Sequence, residues 1–459
     1  MSMPQIAERR MLNASKSATS SIPSEVLSMI FQEVIEPSYS FRKGDYNCSM
    51  RLKFKILSIC SQWRQVACGA PAFWPDFTLS FVTLSELKKV GYILKLHLQL
   101  SGNLPLEIEL YYNCMPSERP RFDTDNLVHS SIDADLIQHL PRVRSLRLMT
   151  LPFAMVENWL AHKSHLSGLQ SLNIRTGSEG SHSVDLLDSP SLTDLVLDGM
   201  HDISVQPDSL RTLFLNLVST DLCIKLLLEC RNLRSFTVVN PRPVAPDDAI
   251  SLPEEAVVLP NLEELSWVFM ESEWDEYLLQ HLSAPSLKFL LWNNPFGCSP
   301  EYETQNMESF CNRLPTSIEH VELVGLTEDM NMLKSFPKHL HIEQFFIECD
   351  SWEEAIKYAE LLAGTYKGAG GRSTMRAFPK LTKLQITGVD DGGDLTDQAA
   401  QFVSFLETIY HRVEPGETFE VYFCGTTIDY ARDSLPADVV IMVECGSLVL
   451  QDDQGRMNF

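Results

Sequence analysis

Few residues in this chain stand at spacings that chemistry requires. His162 and His165 lie three apart on a predicted helix, which puts two imidazoles on one face as zinc sites do, but no nearby cysteine or carboxylate completes a ligand set. Glu271, Glu273, Asp275 and Glu276 concentrate the carboxylates that chelation or acid–base catalysis uses. Neighbours along one segment do not bring two carboxyl groups face to face across a substrate, so a solvated helix face is predicted. Lys367-Gly-Ala-Gly-Gly-Arg372 is basic and glycine-rich yet lacks the Gly-x-x-x-x-Gly-Lys-Ser/Thr spacing of a phosphate cradle, and reads as a connector. No Gly-x-Ser-x-Gly elbow, His-Glu-x-x-His helix or kinase signature set occurs. The 11 cysteines are scattered, odd in number and without a Cys-x-x-Cys pair, which predicts free thiols in a reducing compartment. No catalytic residue, metal or cofactor is expected.

The elements around these residues are better specified. Val143-x-x-Leu146-x-Leu148 returns as Leu169-x-x-Leu172-x-Ile174, Leu192-x-x-Leu195-x-Leu197, Leu210-x-x-Leu213-x-Leu215 and Leu233-x-x-Phe236-x-Val238. Leu262-x-x-Leu265-x-Trp267, Leu287-x-x-Leu290-x-Trp292, Ile318-x-x-Val321-x-Leu323, Ile342-x-x-Phe345-x-Ile347 and Leu381-x-x-Leu384-x-Ile386 follow. Successive first residues lie from 18 (Leu192 to Leu210) to 39 (Ile342 to Leu381) positions apart, centred on the leucine-rich repeat period with stretched members. One strand and one return segment cannot bury their own apolar face, so each unit must pack on its neighbours and a solenoid with a parallel sheet is predicted. Alternation along each strand then sends the leucines inward and their neighbours to the concave face. Phe214, Phe289, Leu291 and Phe346 fall on that face where polar residues are expected, which marks them as candidate partner-binding anchors.

Charge narrows the class of partner. With 37 Lys and Arg against 61 Asp and Glu, the net charge of -24 repels phosphate backbones and anionic lipid, so neither nucleic acid nor membrane is expected, and basic protein partners are favoured. The longest apolar runs, such as 439–443, are far shorter than a membrane span. Residues 1–20 are serine-rich without an apolar core, predicting a disordered tail and not a secretory signal, with a cytoplasmic or nuclear location.

The region from 21 to 80 is helical in pattern. Pro23 and Glu25 suit a helix start, Val26, Leu27, Ile30, Phe31, Val34 and Ile35 recur with helical period as one face, and Pro37 stops the run. A second stripe, Ile56, Ile59, Cys60, Trp63 and Ala67, predicts one further helix that ends at Gly69 and Pro71. Phe73 and Trp74 form a bulky plug before a strand at 77–81. Ile22-Pro23-x-Glu25-Val26-Leu27-x-x-Ile30-Phe31, then Leu57-Ser58-Ile59-Cys60-Ser61-Gln62-Trp63-Arg64-Gln65-Val66-Ala67, then Pro71-x-Phe73-Trp74, resembles an F-box, especially the F-box-like proteins of filamentous fungi. The resemblance covers residues 21 to 80; the loop from Glu36 to Phe54 is longer than the shortest family members need.

The resemblance implies docking on the Skp-family adaptor of a cullin-RING ubiquitin ligase. Pro23, Val26, Leu27, Ile30 and Phe31 would make the first contact face, and Leu57, Ile59, Cys60, Trp63 and Val66 the second helix and the module's core. A non-catalytic substrate receptor follows, with the repeats holding an unknown protein target for ubiquitination. The alternative is a ligase-independent repeat scaffold whose N-terminal helices are only a cap.

The fold class expected is therefore α/β, an N-terminal helical F-box-like module followed by an irregular leucine-rich-repeat solenoid with a parallel sheet. The boundaries read as a tail at 1–20, the module at 21–80, a connecting segment and entry repeat at 81–139, the solenoid at 140–390 and a capping region at 391–459. In the last region a helix is predicted at 398–410, with strands at 419–423 and 439–443.

Overall fold

The computed structural model describes residues 22–35, 48–82, 84–112, 131–175, 182–243, 256–268, 273–293, 308–324, 336–349, 351–367, 374–388, 395–410, 412, 418–424, 437–452 and 455–456. The tail at 1–20, the loop at 113–129, the glycine-rich connector and the turn at 390–393 lie wholly or mostly outside them. The chain divides into two compact units, residues 1–210 and 211–459.

The first unit opens with three helices, α1 (Ser24–Ile35), α2 (Cys48–Ile59) and α3 (Ser61–Gly69). The single stripe read across Ile56 to Ala67 is broken. Cys60 takes an extended backbone (φ -156, ψ 171) and its Sγ accepts from the Trp63 N–H, so it caps α3 instead of sitting inside one long helix. Arg64 Nε donates to the Leu57 carbonyl at 3.0 Å, satisfying the C-terminal end of α2 across the break. The helices enclose a core of Leu27, Phe31, Ile56, Ala67, Phe73 and Trp74. The Trp74 indole, fully buried, donates to the Ala67 carbonyl at 2.7 Å.

Next come β1 (Asp76–Phe81), α4 (Leu84–Leu100), β2 (Leu106–Tyr112), α5 (Ser131–His139), β3 (Val143–Met149), α6 (Phe153–Leu160) and β4 (Ser171–Arg175). The unit continues through β5 (His182–Leu186), β6 (Asp194–Asp198) and β7 (Met200–Val205). Strands β1, β2, β3, β4 and β6 form a parallel ladder in that order, with β5 and β7 pairing beside it. The ladder therefore begins before the first Leu-x-x-Leu-x-Leu unit, at β1.

The second unit comprises β8 (Thr212–Asn216), α7 (Thr220–Glu229), β9 (Ser235–Val239), β10 (Val257–Val258), β11 (Glu264–Val268), α8 (Glu273–His281), β12 (Leu282–Ser283), β13 (Phe289–Asn293) and β14 (His320–Val324). It continues with β15 (Gln344–Glu348), α9 (Trp352–Ala363), β16 (Thr365–Lys367), β17 (Thr374–Arg376), β18 (Lys383–Thr387) and α10 (Leu395–Tyr410). It ends with β19 (Phe419–Cys424), α11 (Ala437–Cys445), β20 (Leu448–Asp452) and β21 (Gly455–Arg456). Its ladder β8-β9-β11-β13-β14-β15-β18-β19-β20 is parallel throughout, and β21 pairs antiparallel on β20.

Each repeat explains its own strand. The first apolar residue closes a turn through its N–H, as Leu287 does to the Ala284 carbonyl and Leu381 to the Phe378 carbonyl. One carbonyl per unit then accepts from two N–H groups of the next: Arg234 from Glu263 and Glu264, Glu263 from Lys288 and Phe289, Lys288 from Glu319 and His320, Glu319 from Glu343 and Gln344. That fixes register, so Leu265, Leu290, Val321, Phe345 and Leu384 lie side by side, each almost wholly buried. The result is a mixed α/β architecture built on parallel ladders with the leucine-rich repeat pattern.

Two further local expectations fail. Residues 439–443 are helical within α11, where only Val439 is buried and Ile441 is 59% exposed; the β-branched run read as a strand, but β propensity is weak against context. Asp275 does not belong to a solvated face. It is buried on α8, and its carboxylate accepts from the Trp267 indole at 2.6 Å, because the tryptophan in the inward repeat position brings an N–H that must be satisfied.

Candidate protein-interaction site

Helix α1 is apolar on two sides, not one. Leu27 and Phe31, four residues apart, turn inward; the Phe31 ring lies 4.9 Å from that of Trp63 and 6.0 Å from that of Phe73. These two side chains are spent on the core and cannot belong to a contact face, which corrects their expected role. Val26 (43% exposed), Met29 (64%), Ile30 (40%) and Val34 (53%) face solvent instead, with Pro23 exposed ahead of them. Met29, which the sequence pattern did not single out, is the most exposed of the row.

The second helical group divides the same way. Leu57, Trp63 and Val66 pack half-buried against the core, as expected. Ile59 does not: it stands 57% exposed at the end of α2, where the break at Cys60 turns it outward. Phe54, also on α2, is 37% exposed. The module thus presents solvent with Val26, Met29, Ile30, Val34, Phe54 and Ile59.

Under this module lies a buried cation. The Lys53 ammonium donates to the Asp76 carbonyl oxygen and sits 5.7 Å from the Phe73 ring centroid. Burial lowers it from 10.5 to about 8, against the attraction of the Asp76 carboxylate, whose own value burial raises.

In the second unit the alternation places Phe214, Phe289, Leu291 and Phe346 on the half-exposed face of the sheet, each half-buried. Register separates them into rows. Phe214, Thr237, Ser266, Leu291, Glu322, Phe346, Gln385 and Tyr422 run side by side across the strands, while Phe289 lies in the row of Glu264, His320, Gln344 and Lys383. Leu291 and Phe346 therefore flank Glu322, and the Phe289 ring packs tilted against that of His320 with centroids 4.8 Å apart. His320 Nε2 and Glu322 Oε1 are 2.9 Å apart; since an ionised carboxylate only accepts, the imidazole donates. These four residues are not one cluster: Phe214 stands three strands from Leu291.

His162 and His165 stack with centroids 6.0 Å apart beside a short 3-10 turn, and among the described residues no group of three or more His, Cys, Asp or Glu could hold a metal ion. Burial pushes the Cys223 and Cys311 thiols up, so they behave as small hydrophobes. Among the described residues no helix is long and apolar enough to cross a membrane.

No family model and no curated protein matches the sequence. Solved structures similar to the chain include the leucine-rich repeat-containing protein LegL7 from Legionella pneumophila, at 13% identity over 63% of this chain and 86% of that one, with a TM-score of 0.29.

Proposed function

We propose that this chain is a non-catalytic substrate receptor of a Skp-cullin-F-box type ubiquitin ligase. Helices α1 to α3 dock on the Skp-family adaptor, and the repeats hold a protein target. The single observation that carries the reading is the outward apolar row Val26, Met29, Ile30 and Val34 on a helix whose inner side is already filled by Leu27 and Phe31. A cap made only to close a solenoid needs the inner side and would leave the outer side polar. The resemblance of residues 21 to 80 to an F-box names the occupant. No catalytic side chain is required, because holding ligase and target together raises the effective concentration of a target lysine near the charged conjugating enzyme.

The test is titration calorimetry of the full chain with a purified Skp-family adaptor. Wild type is expected to bind saturably. The Met29→Asp/Val34→Asp variant alters only exposed positions, so its circular dichroism stays unchanged while affinity falls at least about 100-fold, some 2.7 kcal/mol. A folded wild type that does not bind the adaptor sinks the ligase reading and leaves a ligase-independent repeat scaffold.

A further inference from the structure

The half-exposed sheet face of the second unit carries a feature that neither the repeat leucines nor α1 to α3 use. Glu322 sits at the centre of a row with an apolar side chain on each side, Leu291 on β13 and Phe346 on β15. Neighbouring strands lie about 4.8 Å apart, so Leu291 and Phe346 stand roughly 9–10 Å from each other with the Glu322 side chain between them. A methylene chain laid over the row touches both apolar side chains while its charged end meets the carboxylate. Glu322 Oε1 is held by His320, whose ring rests near Phe289, so the carboxylate is oriented and its other oxygen lies outside that bond.

A partner covering this row removes the remaining water from Glu322. An apolar or acidic covering group would leave the carboxylate desolvated with one oxygen outside the His320 hydrogen bond, which opposes binding; a cation on an aliphatic stem meets that oxygen and both apolar neighbours together. The surroundings agree in sign. Among the described residues of this face, Glu264, Glu322, Glu348 and Glu420 stand against a single lysine, Lys383.

We propose that Glu322, Leu291 and Phe346 form a pocket for one lysine or arginine side chain of the protein partner, and that this residue sets the partner's specificity. The proposal rests on the reading of the repeat face as a partner-binding surface and adds the chemistry of what it takes.

The experiment is selection of a randomised displayed peptide library on the full chain as wild type, Glu322→Gln, Leu291→Asp and Glu353→Gln. Glu353 is an exposed residue of α9 that forms an i,i+4 pair with Lys357, away from the face, and its variant controls for bulk charge. Wild type and Glu353→Gln are expected to select peptides carrying lysine or arginine beside apolar residues, and Glu322→Gln to bind those same peptides about ten-fold more weakly. Selected peptides without basic enrichment, or basic peptides that bind Glu322→Gln as well as wild type, overturn the pocket. If those peptides are still lost on Leu291→Asp, the face remains a docking surface and only the lysine or arginine assignment fails. A library that yields no binder, or binders indifferent to both variants, overturns the reading of the face itself.

Discussion

Replacing Arg412 by alanine is expected to destabilise the second unit by on the order of 4 kcal/mol. Arg412 is 2% exposed, just beyond α10. Its Nη1 donates to the Leu362 carbonyl at 3.0 Å and to the Ala377 carbonyl, and its Nη2 to the Phe378 carbonyl. Leu362 lies in the last turn of α9, where carbonyls lack helical partners and a positive charge meets the negative end of the helix dipole. Phe378 holds a left-handed φ of 49°, a strained state for an aromatic residue, while its ring packs 5.1 Å from that of Phe345. One guanidinium thus ties a helix end to the turn that launches β18.

Two variants separate volume from donors. Arg412→Met keeps most of the bulk without the N–H groups, so if hydrogen bonding dominates it costs nearly as much as Arg412→Ala. Urea unfolding gives the total, and hydrogen exchange of peptides covering 352–367 and 374–388 places the loss. An alanine variant within about 1 kcal/mol of wild type, with unchanged exchange in both peptides, would remove Arg412 from the list of structural residues.

Arg412 also shows where sequence reading ends. Its acceptors lie 34 to 50 residues away in the chain, and nothing local marks it. All ten Leu-x-x-Leu-x-Leu units, by contrast, form parallel strands where their spacing placed them, because a period of two with one face buried leaves register no freedom. The same logic put Phe214, Phe289, Leu291 and Phe346 on one face correctly; that Glu322 lies between two of them depends on neighbouring strands and could not be read from one. Helix α1 was legible as a helix, but not how its apolar residues divide. Leu27 and Ile30 are equivalent by hydrophobicity, and only the positions of Trp63 and Phe73 decide that Leu27 is inside. The break at Cys60 is silent in the sequence because Ile56, Ile59, Cys60 and Trp63 keep helical spacing through it. The burial of Asp275 is not legible in the sequence because the need of Trp267 for an acceptor arises only once the strand is folded.

Acidification should destabilise the first unit through His97, with a loss of about 2 kcal/mol between pH 7 and pH 5 and about 3 kcal/mol by pH 4. His97 on α4 is fully buried, its ring 4.8 Å from Trp74 and 4.9 Å from Phe77. Nδ1 donates to the Ile93 carbonyl at 2.9 Å, which leaves Nε2 as a buried acceptor without a hydrogen bond. Burial, reinforced by the Lys53 ammonium, holds the imidazole down at about 4 against an ordinary 6.5. The unfolded chain therefore binds a proton between pH 6.5 and 4 that the folded chain refuses, so stability is present above this window and lost through it. Lys53, lowered to about 8, is protonated in both states below that value; it contributes its own slope only from about pH 8 to 10.5, where stability rises as the buried charge is discharged. Asp76, raised by burial, has the opposite sign near the bottom of the acid window and flattens the curve there. Unfolding by urea at pH 7, 6, 5 and 4, read by exchange of peptides covering 84–112, gives the profile. In His97→Leu the slope between pH 6.5 and 4 should largely disappear whatever its stability at pH 7, and a variant that keeps the wild-type slope assigns the acid sensitivity to another group.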